Sequence, residues 1–393
     1  MKPFGKLLNL CFVLALLAFF LLGLGKAILR PKEVNEYENR TASRLELPAL
    51  ETVLDGAFQA GVEDGLSDQV PLAQVMKKLY NEGGSRLVLG AMSGFLETKP
   101  PYYVSLLGTK IFAGDYLVYD TYTMERVEEN LRKKAENLNG QFAAHPELDF
   151  YAYYIEKDTD VNLETGEKPG IYEFLAQTLD LPEGHAARFE VNGFGDFGRD
   201  FFRTDHHWNR VGSYRGYREV LSLLGVEDEP LEPLGEETVA QGFSGSKAGS
   251  AGMRGVFTED FTAYRFDFPA MEITVNGEPA GDYGNQEAYF DGTAAEPLSY
   301  GNFYGGDFGQ VVFDTGRADR ENLLVVGESF DNAMLKLLAS HFGKTYSVDL
   351  RNYERSMGSA FAFAPYVQQH QIGTVLLIGN CDYFTMPEFR LEG

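Results

Sequence analysis

The last seventy or so residues constrain the fold most, because short apolar runs alternate there with segments of helical character. Leu323–Val326 is a continuous apolar run, which is typical of a strand buried on both faces of a sheet. Further strands are predicted at Tyr346–Leu350 and Val375–Ile378, with helices over Asp331–His341 and Phe361–Gln369 between the strands. This β-α-β-α-β order predicts an α/β protein whose parallel sheet carries helices on both faces.

The first thirty residues contain one long apolar segment. Leu7–Gly25 has Asn9 as its only clearly polar side chain, and as a helix it would span ~28 Å, close to the hydrocarbon thickness of a bilayer. Lys2 and Lys6 precede it and fit an orientation with the N-terminus inside. We expect an uncleaved transmembrane anchor after a short cytoplasmic stub, with everything after Arg30 extracellular. A cleaved signal peptide is the alternative.

The remainder of the chain divides by composition. Residues 31–95 are expected to form a polar tether and an amphipathic helical stalk, because apolar residues recur there at intervals of four. Residues 96–393 are expected to form the α/β domain. Within this domain, residues 227–315 are Gly-rich and acidic with strand-like pieces, and we predict a β-rich insertion there. The Gly/Ser stretch 242–255 is expected to be a mobile loop, and we hypothesise that it acts as a lid over the site.

Shorter patterns predict the first elements of the α/β domain. Tyr103–Leu107 and Tyr116–Tyr119 have the character of strands. Thr123 is suited to cap the N-terminus of an amphipathic helix, and Gly140 is expected to end that helix.

Charge and cysteine content exclude several classes of function. The formal charge is −24, and this acidic balance argues against a nucleic-acid partner, since phosphate binding needs clustered cations. The only cysteines, Cys11 and Cys381, exclude a disulfide scaffold and a zinc site built on cysteine pairs. No metal is expected, because the adjacent His206 and His207 lack a second ligand pair. No nucleotide cofactor is expected either, because the Gly-rich run 193–198 is predicted to lead into a turn rather than a βαβ unit.

The most unusual group of polar residues is the run Asp205-His206-His207-Trp208. It combines two of the six histidines and the only tryptophan with a carboxylate, just before a helix predicted over Arg210–Leu224. The positive end of the helix dipole disfavours a charged imidazole there, and a general base must be neutral. The alternative is an ordinary turn before the helix.

A second candidate is Ser329, which follows a predicted buried strand in the run Gly327-Glu328-Ser329. Sites in open α/β sheets lie at the carboxyl ends of strands, where free N–H groups of the next helix can stabilise an oxyanion. A serine that merely caps the helix is the alternative, and the chain has no G-x-S-x-G elbow. A hydroxyl at a strand end and a separate Asp-x-His supply the three parts of nucleophilic acyl chemistry.

These residues resemble a known family. The DHHW run at 205–208, the Gly-Glu-Ser turn and the VDLRNY segment at 348–353 look like those of the bacterial DHHW proteins. The ENR run at 38–40 and a DG…D-Q-x-P-L pattern across 55–72 extend the resemblance over most of the chain. DHHW proteins are similar in turn to the periplasmic alginate O-acetylation proteins, which carry an Asp-x-His-Trp motif on a permuted SGNH-hydrolase-like fold. Glu328 stands where the family usually has aspartate.

The resemblance implies an SGNH-hydrolase-like fold with Ser329 as the nucleophile, His207 as the base and Asp205 as the carboxylate that orients the base. It also implies an oxyanion hole formed by the Ser329 N–H and Asn380, although an asparagine after a strand is ordinarily a turn residue. Three further side chains are candidates for binding substrate, with packing or surface solvation as their alternative roles: His206, Trp208 and Arg203.

The function implied is that of a membrane-anchored extracellular enzyme acting on acyl esters of a cell-surface glycan. Transfer of acetyl to a polysaccharide hydroxyl is implied by the alginate proteins alone. A carbohydrate acetylesterase and a catalytically silent surface-binding protein are the alternatives. The acetyl donor is expected to come from a membrane-bound acyltransferase, since no donor-binding motif is visible. An unperturbed histidine titrates near pH 6.5, so activity is expected to fall below about pH 6.

Overall fold

The structure is a computed structural model that describes residues 2–29, 31–32, 34–35, 40–44, 57–70, 73–95, 109–387 and 389–392. The strand predicted at Tyr103–Leu107 lies outside these residues. The chain falls into two compact units, which are Met1–Glu97 with Gly252–Val256, and Thr98–Ala251 with Phe257–Gly393.

The first unit is mainly helical. Its helices are α1 (Lys2–Leu29), α2 (Ala57–Gln69) and α3 (Ala73–Phe95), and a short antiparallel ladder pairs β1 (Val34–Asn35) with β2 (Arg40–Thr41). Helix α1 covers the predicted anchor segment, and α2 and α3 fall in the predicted stalk. Among the described residues, no helix combines the length and the apolar character that a membrane span requires. The anchor and the stalk therefore stay predictions.

The second unit contains the remaining elements. Its strands, in chain order, are β3 (Lys110–Phe112), β4 (Tyr116–Val118), β5 (Asp149–Ile155), β6 (Ala186–Phe189), β7 (Gly235–Phe243), β8 (Glu259–Arg265), β9 (Glu272–Val275), β10 (Glu278–Ala280), β11 (Gln310–Asp314), β12 (Asn322–Val326), β13 (Lys344–Val348) and β14 (Ile372–Gly379). Its helices are α4 (Met124–Ala144), α5 (Ile171–Thr178), α6 (Phe194–Asp200), α7 (Arg210–Leu223), α8 (Ser246–Ser250), α9 (Gln286–Phe290), α10 (Tyr300–Tyr304), α11 (Leu335–Ala339), α12 (Leu350–Met357), α13 (Phe363–Gln369) and α14 (Cys381–Thr385).

Eight of these strands form one mixed sheet in the order β10-β9-β11-β13-β12-β14-β5-β6. Five adjacent strands run parallel to one another, as predicted, and these are β13, β12, β14, β5 and β6. Strands β10, β9 and β11 extend the sheet in antiparallel pairing. The prediction of a parallel sheet is therefore wrong at this edge. Residues 227–315 supply three strands to the central sheet, and only β7 and β8 form a separate ladder.

Strand β12 explains why both faces of the sheet are covered. Its fully buried side chains alternate, with Leu323 and Val325 in one apolar core and Leu324 and Val326 in the other. Helices α7 and α11 contribute to the first core, and α4, α5 and α13 contribute to the second. A strand covered on both faces needs apolar residues at every position, which is why this run is continuous rather than alternating.

Three local predictions need correction. Helix α4 does not end at Gly140 but continues to Ala144, because Phe142 still packs into the core. The helix predicted over Asp331–His341 is divided into a 3₁₀ turn at Asp331–Ala333 and the short helix α11. The Gly-rich run at 193–198 does not lead into a turn, because its residues 194–198 are themselves part of helix α6.

The carboxyl ends of the parallel strands bring polar residues to one edge of the sheet. Ser329 follows β12, Asp349 follows β13 and Asn380 follows β14, while Lys157 follows β5. The loop 201–209, between α6 and α7, delivers its residues to the same place, since His207 contacts Ser329 there. Two segments far apart in sequence therefore meet where the sequence pattern places a site.

Candidate active site

Ser329, His207 and Asp205 lie in one hydrogen-bonded row. The Ser329 Oγ is 2.8 Å from His207 Nε2, and His207 Nδ1 is 2.6 Å from Asp205 Oδ1. An ionised carboxylate can only accept, so the Nδ1–H of His207 donates to Asp205, and Nε2 accepts the hydroxyl hydrogen of Ser329. The structure thus brings the three predicted residues together with the imidazole in the tautomer that a general base needs.

The Asp205 carboxylate is ionised and fully engaged. Burial alone would raise the pKa of Asp205, but the adjacent His207 and His206 and the Ser246 N–H outweigh burial and hold this pKa well below its usual range. The Ser246 N–H donates to Asp205 Oδ2 at 2.7 Å, and the His207 N–H donates to Oδ1 at 3.1 Å. Both carboxylate oxygens have donors, which fixes the orientation of the carboxylate and therefore of the imidazole.

The segment that supplies the Ser246 donor is not a mobile loop, which corrects the prediction for this part of 242–255. Residues 246–250 form helix α8, and the Gly245 N–H donates to Thr204 Oγ1 at 3.0 Å. The Lys247 side chain is fully buried and forms an ion pair with Asp158 at 2.6 Å. These contacts make the segment a support for Asp205, and they give no basis for a lid.

Gly245 is needed because the backbone approaches Asp205 so closely. A β-carbon at Gly245 would lie 2.4 Å from Asp205 Cβ and 2.6 Å from Oδ2. We expect Gly245→Ala to displace the carboxylate and to slow labelling of Ser329 by a sulfonyl fluoride about tenfold or more, since an unoriented histidine is a poor base. Gly281→Ala is the matched control, because a β-carbon there has no neighbour within 4 Å. Equal labelling rates in folded samples of the two variants would contradict this role.

Aromatic rings hold the imidazole of His207 on two sides. Tyr300 stacks on it with ring centroids 3.8 Å apart and an angle of 2° between the planes. Phe330, next to the serine, lies with its ring centroid 4.9 Å from that of the imidazole. Tyr300 was not predicted from the sequence, since it lies far along the chain from the histidine and no motif marks it. These rings restrict the imidazole to the plane that joins Asp205 and Ser329.

Trp208 is a packing residue rather than a platform for sugar. Its side chain is fully buried, and its Nε1–H donates to the Tyr300 hydroxyl at 3.2 Å. The indole lies against α7, where β-carbons at Gly212 and Gly216 would come within 2.9 and 2.7 Å of the tryptophan. A stacked sugar needs an exposed ring face, so burial contradicts the proposed substrate contact and supports the packing alternative.

The other two substrate-binding candidates, Arg203 and His206, differ in their contacts within the chain. Arg203 forms an ion pair with Asp115, and its Nε lies 3.9 Å from Glu259 Oε2, so its charge is compensated within the chain. His206 keeps about one third of its side chain exposed and bonds to the Ser246 hydroxyl through Nδ1. Partial burial lowers the pKa of His206 well below its ordinary value, so His206 is a neutral imidazole beside the base.

Asn380 lies near Ser329, but its amide is already engaged. Its Nδ2–H donates to Glu328 Oε1 at 3.0 Å, and its Oδ1 caps helix α14 by accepting from the Asp382 N–H at 2.7 Å. The Nδ2 group carries two hydrogens, and the bond to Glu328 uses one of them. The oxyanion role of Asn380 therefore stays a prediction. Within residues 109–387, the Ser329 N–H has no hydrogen-bond acceptor, so it is available as a donor to an oxyanion.

One group of potential metal ligands occurs among the described residues. Ligand atoms of Asp205, His206 and His207 lie within 4.8 Å of one another. These side chains are already hydrogen-bonded to each other, to Ser246 and to Ser329. These atoms therefore already take part in the hydrogen bonds that join Ser329, His207 and Asp205. The expected lack of a metal stays a prediction.

Comparison with known families places this geometry in context. Residues 193–348 match the family model described as DHHW protein. The predicted DHHW resemblance is confirmed. The matched residues include both the Asp205–Trp208 run and Ser329, the two places that the structure joins. No curated protein matches the chain in sequence.

Solved structures share the fold of this chain at low sequence identity. A DHHW family protein from Eubacterium siraeum DSM 15702 has a TM-score of 0.57 and 16% identity, covering 74% of this chain and 98% of that chain. Bacillus cereus PatB1, in a structure described as carrying a sulfonyl adduct, has a TM-score of 0.52 and 18% identity, covering 71% of this chain and 97% of that one. These likenesses show a common mixed α/β fold.

Proposed function

We propose that the protein is an acyl-ester enzyme in which Ser329 is the nucleophile, His207 the general base and Asp205 the carboxylate that orients the base. The observation that carries this proposal is the row of hydrogen bonds at 2.8 and 2.6 Å that joins the hydroxyl, the imidazole and the carboxylate. A serine that only capped a helix would not need a buried imidazole at its oxygen. We also propose an SGNH-hydrolase-like arrangement, supported by the position of Ser329 at the end of a parallel strand.

In the first step, the Ser329 oxygen attacks the carbonyl carbon of an acyl ester while His207 Nε2 takes its proton. The Ser329 N–H, which has no acceptor among the described residues, stabilises the negative oxygen of the tetrahedral intermediate. The imidazolium then gives its proton to the leaving alcohol, and the acyl group stays on Ser329. Asp205 stabilises the imidazolium without taking a proton, since its low pKa keeps it ionised.

In the second step, His207 removes a proton from an acceptor hydroxyl, which attacks the acyl-serine. The acyl group moves to the acceptor, and the imidazolium returns a proton to Ser329. We propose that the acceptor is a hydroxyl of a cell-surface polysaccharide and that the group transferred is acetyl, so that the protein is an O-acetyltransferase. Water in the same position would make it a carbohydrate acetylesterase.

The cellular setting follows from the N-terminal sequence. We propose that Leu7–Gly25 anchors the chain in the cell membrane with the α/β domain outside, where surface glycans are the available polymers. A membrane-bound acyltransferase is the proposed source of acetyl groups. The formal charge of −24 makes a strongly anionic polymer a poor acceptor.

Trapping the acyl-enzyme tests the proposed function. Full-length protein in detergent is mixed with p-nitrophenyl acetate, quenched in acid and analysed by intact and peptide mass spectrometry. We expect the mass of one acetyl group on the peptide that contains Ser329. Chasing the trapped enzyme with sugar oligomers distinguishes transfer, which yields acetylated sugar, from hydrolysis, which yields acetate alone. An acetyl group found only on other residues would refute Ser329 as the nucleophile.

A further inference from the structure

Glu328 is placed to act on the reactive serine. Its Oε2 lies 3.2 Å from Ser329 Oγ, and its Oε1 accepts the Asn380 amide at 3.0 Å. The side chain is buried, with 9% of its surface exposed. It therefore contacts the same nucleophilic oxygen as His207 does. The resemblance to DHHW proteins marks this position only as a departure from the usual aspartate.

The number of hydrogens available at Ser329 favours a neutral Glu328. The Ser329 hydroxyl has a single hydrogen, and the base mechanism requires this hydrogen on the side of His207 Nε2, 2.8 Å away. The contact between Ser329 Oγ and Glu328 Oε2 then needs its own proton, which only a neutral Glu328 supplies. A neutral acid also explains the two different partners of the carboxyl group, because its hydroxyl donates to Ser329 while its carbonyl oxygen accepts from Asn380.

The charges around Glu328 favour the neutral form. Arg351 lies nearby, but its Nη2 is 2.6 Å from Asp349 Oδ2 and 3.3 Å from Asp307 Oδ2, and Lys157 Nζ is 3.5 Å from Asp382. Burial raises the pKa of Glu328 to about 7, and the positive charge of Arg351 opposes this only in part. The titratable and charged groups that act on it from the surrounding elements are His207, Arg351, Lys157, Asp307, Asp331 and Tyr383.

Asp331 further favours the neutral form of Glu328. It is buried one turn after Glu328, and within the described part of the chain its Oδ2 has no hydrogen-bond partner. Burial, and then the neighbouring acids with Glu328 first among them, raise the pKa of Asp331 well above its usual range. Two buried acids on one turn cannot both ionise without strong repulsion, so a proton is retained in this pair.

We propose that Glu328 is a positioning residue that holds Ser329 for attack as a neutral acid, and that its ionisation switches the serine off at alkaline pH. This inference rests on the proposed nucleophilic role of Ser329. The ionised form would offer the hydroxyl hydrogen a second acceptor, which removes it from His207. It would also place a negative charge beside the Ser329 oxygen, next to the carbon on which the negatively charged tetrahedral intermediate forms, and charge of that sign raises the barrier.

The test is the pH dependence of Ser329 labelling by phenylmethylsulfonyl fluoride, followed by intact mass on full-length protein from pH 5 to pH 10. In this reaction the Ser329 Oγ–S bond forms, the S–F bond breaks, fluoride leaves and the hydroxyl proton passes to His207. We expect the wild-type rate to fall on the alkaline side, by about tenfold per pH unit once the pH is well above 7. A wild-type rate that rises or stays level from pH 7 to pH 9 overturns the proposal without any variant.

Glu328→Gln separates a proton switch from a merely structural role. Its amide presents an N–H to Ser329 and keeps a carbonyl oxygen for Asn380, so it copies the neutral acid at every pH. We expect the alkaline fall to disappear, with labelling at pH 9 about tenfold or more faster than in the wild type. Glu354→Gln, at an exposed position of α12, is the control and should keep the wild-type profile.

The outcomes distinguish this inference from the proposed function. Labelling of Ser329 with the same alkaline fall in Glu328→Gln and wild type overturns the switch and leaves the nucleophile standing. No label on Ser329 at any pH overturns the nucleophile and the switch together. If Ser329 is labelled, and the labelling rate falls at alkaline pH in the wild type but not in Glu328→Gln, the result supports both the nucleophile and the switch.

Discussion

Ser329→Ala is expected to lower acyl-ester turnover by a factor on the order of 10⁴ or more, because without its hydroxyl no acyl-enzyme can form. The backbone N–H at position 329 is still present in this variant and can bind an oxyanion. A small residual rate above the uncatalysed reaction is therefore expected. His207→Ala should cause a loss of similar size, and the double variant should be no slower than either single one, since the two residues act as a unit. Steady-state hydrolysis of p-nitrophenyl acetate measures all three.

The control for this experiment is Ser347→Ala. Ser347 is as buried as Ser329, with 9% exposure, and lies on the neighbouring strand β13 without contacting the imidazole. We expect Ser347→Ala to keep most of the wild-type turnover, so a general effect of removing a buried hydroxyl can be subtracted. If Ser329→Ala retained more than about a tenth of the wild-type rate, the hydrogen-bonded row of Ser329, His207 and Asp205 would not be the source of activity.

Lys247→Met is expected to lower the free energy of unfolding by about 3–5 kcal/mol, because it leaves the Asp158 carboxylate buried without its counter-ion. Lys247 Nζ lies 2.6 Å from Asp158 Oδ2, and each side chain is only 1% exposed. Burial would raise the pKa of Asp158, but Lys247 and Lys157 outweigh burial and lower it, so the carboxylate is charged. Urea-induced unfolding, followed by circular dichroism, measures the loss.

The chain offers a matched control in Lys344→Met. Lys344 and Asp314 form an ion pair of the same length, 2.6 Å, but with 46% and 29% of their side chains exposed. We expect this variant to lose only about 0–1 kcal/mol, since exposed pairs contribute little. Adding Asp158→Asn to Lys247→Met should recover much of the stability, because the amide oxygen can still accept from the Tyr119 N–H that bonds Asp158 at 2.8 Å. Equal losses in the two lysine variants would contradict the argument.

The sequence was sufficient to predict elements whose pattern is set by their own burial. Leu323–Val326 was recognisable as a buried strand because every position faces a core. The antiparallel edge formed by β9, β10 and β11 was not predicted, because pairing with β13 depends on contacts between distant segments. The helix after Ser329 is broken where Asn332 bonds to the Gly305 carbonyl and to Tyr283, and local sequence does not report such tertiary bonds.

The residues of the candidate site also divide into those marked by local sequence and those placed by contacts between distant segments. Asp205, His207 and Ser329 carried enough local signal to be predicted, since a motif and a strand end mark them. Their supporting contacts did not, because Ser246 and Tyr300 lie in the Gly-rich region 227–315, where no motif marks them and from which the chain folds back to Asp205 and His207. Burial of Trp208 was one of two alternatives at the sequence level, and the glycines of α7 that accommodate its indole decide between them.

The bond from Ser246 to Asp205 has a practical consequence for recombining this protein with its relatives. The segment between β7 and β8 looks like a cassette that could be exchanged to alter acceptor choice. A chimera with crossovers at the ends of those strands would import a foreign backbone N–H to orient the recipient's carboxylate. Crossovers placed before Phe201 and after Phe330 would instead transfer the base, its support and the nucleophile as one inherited block.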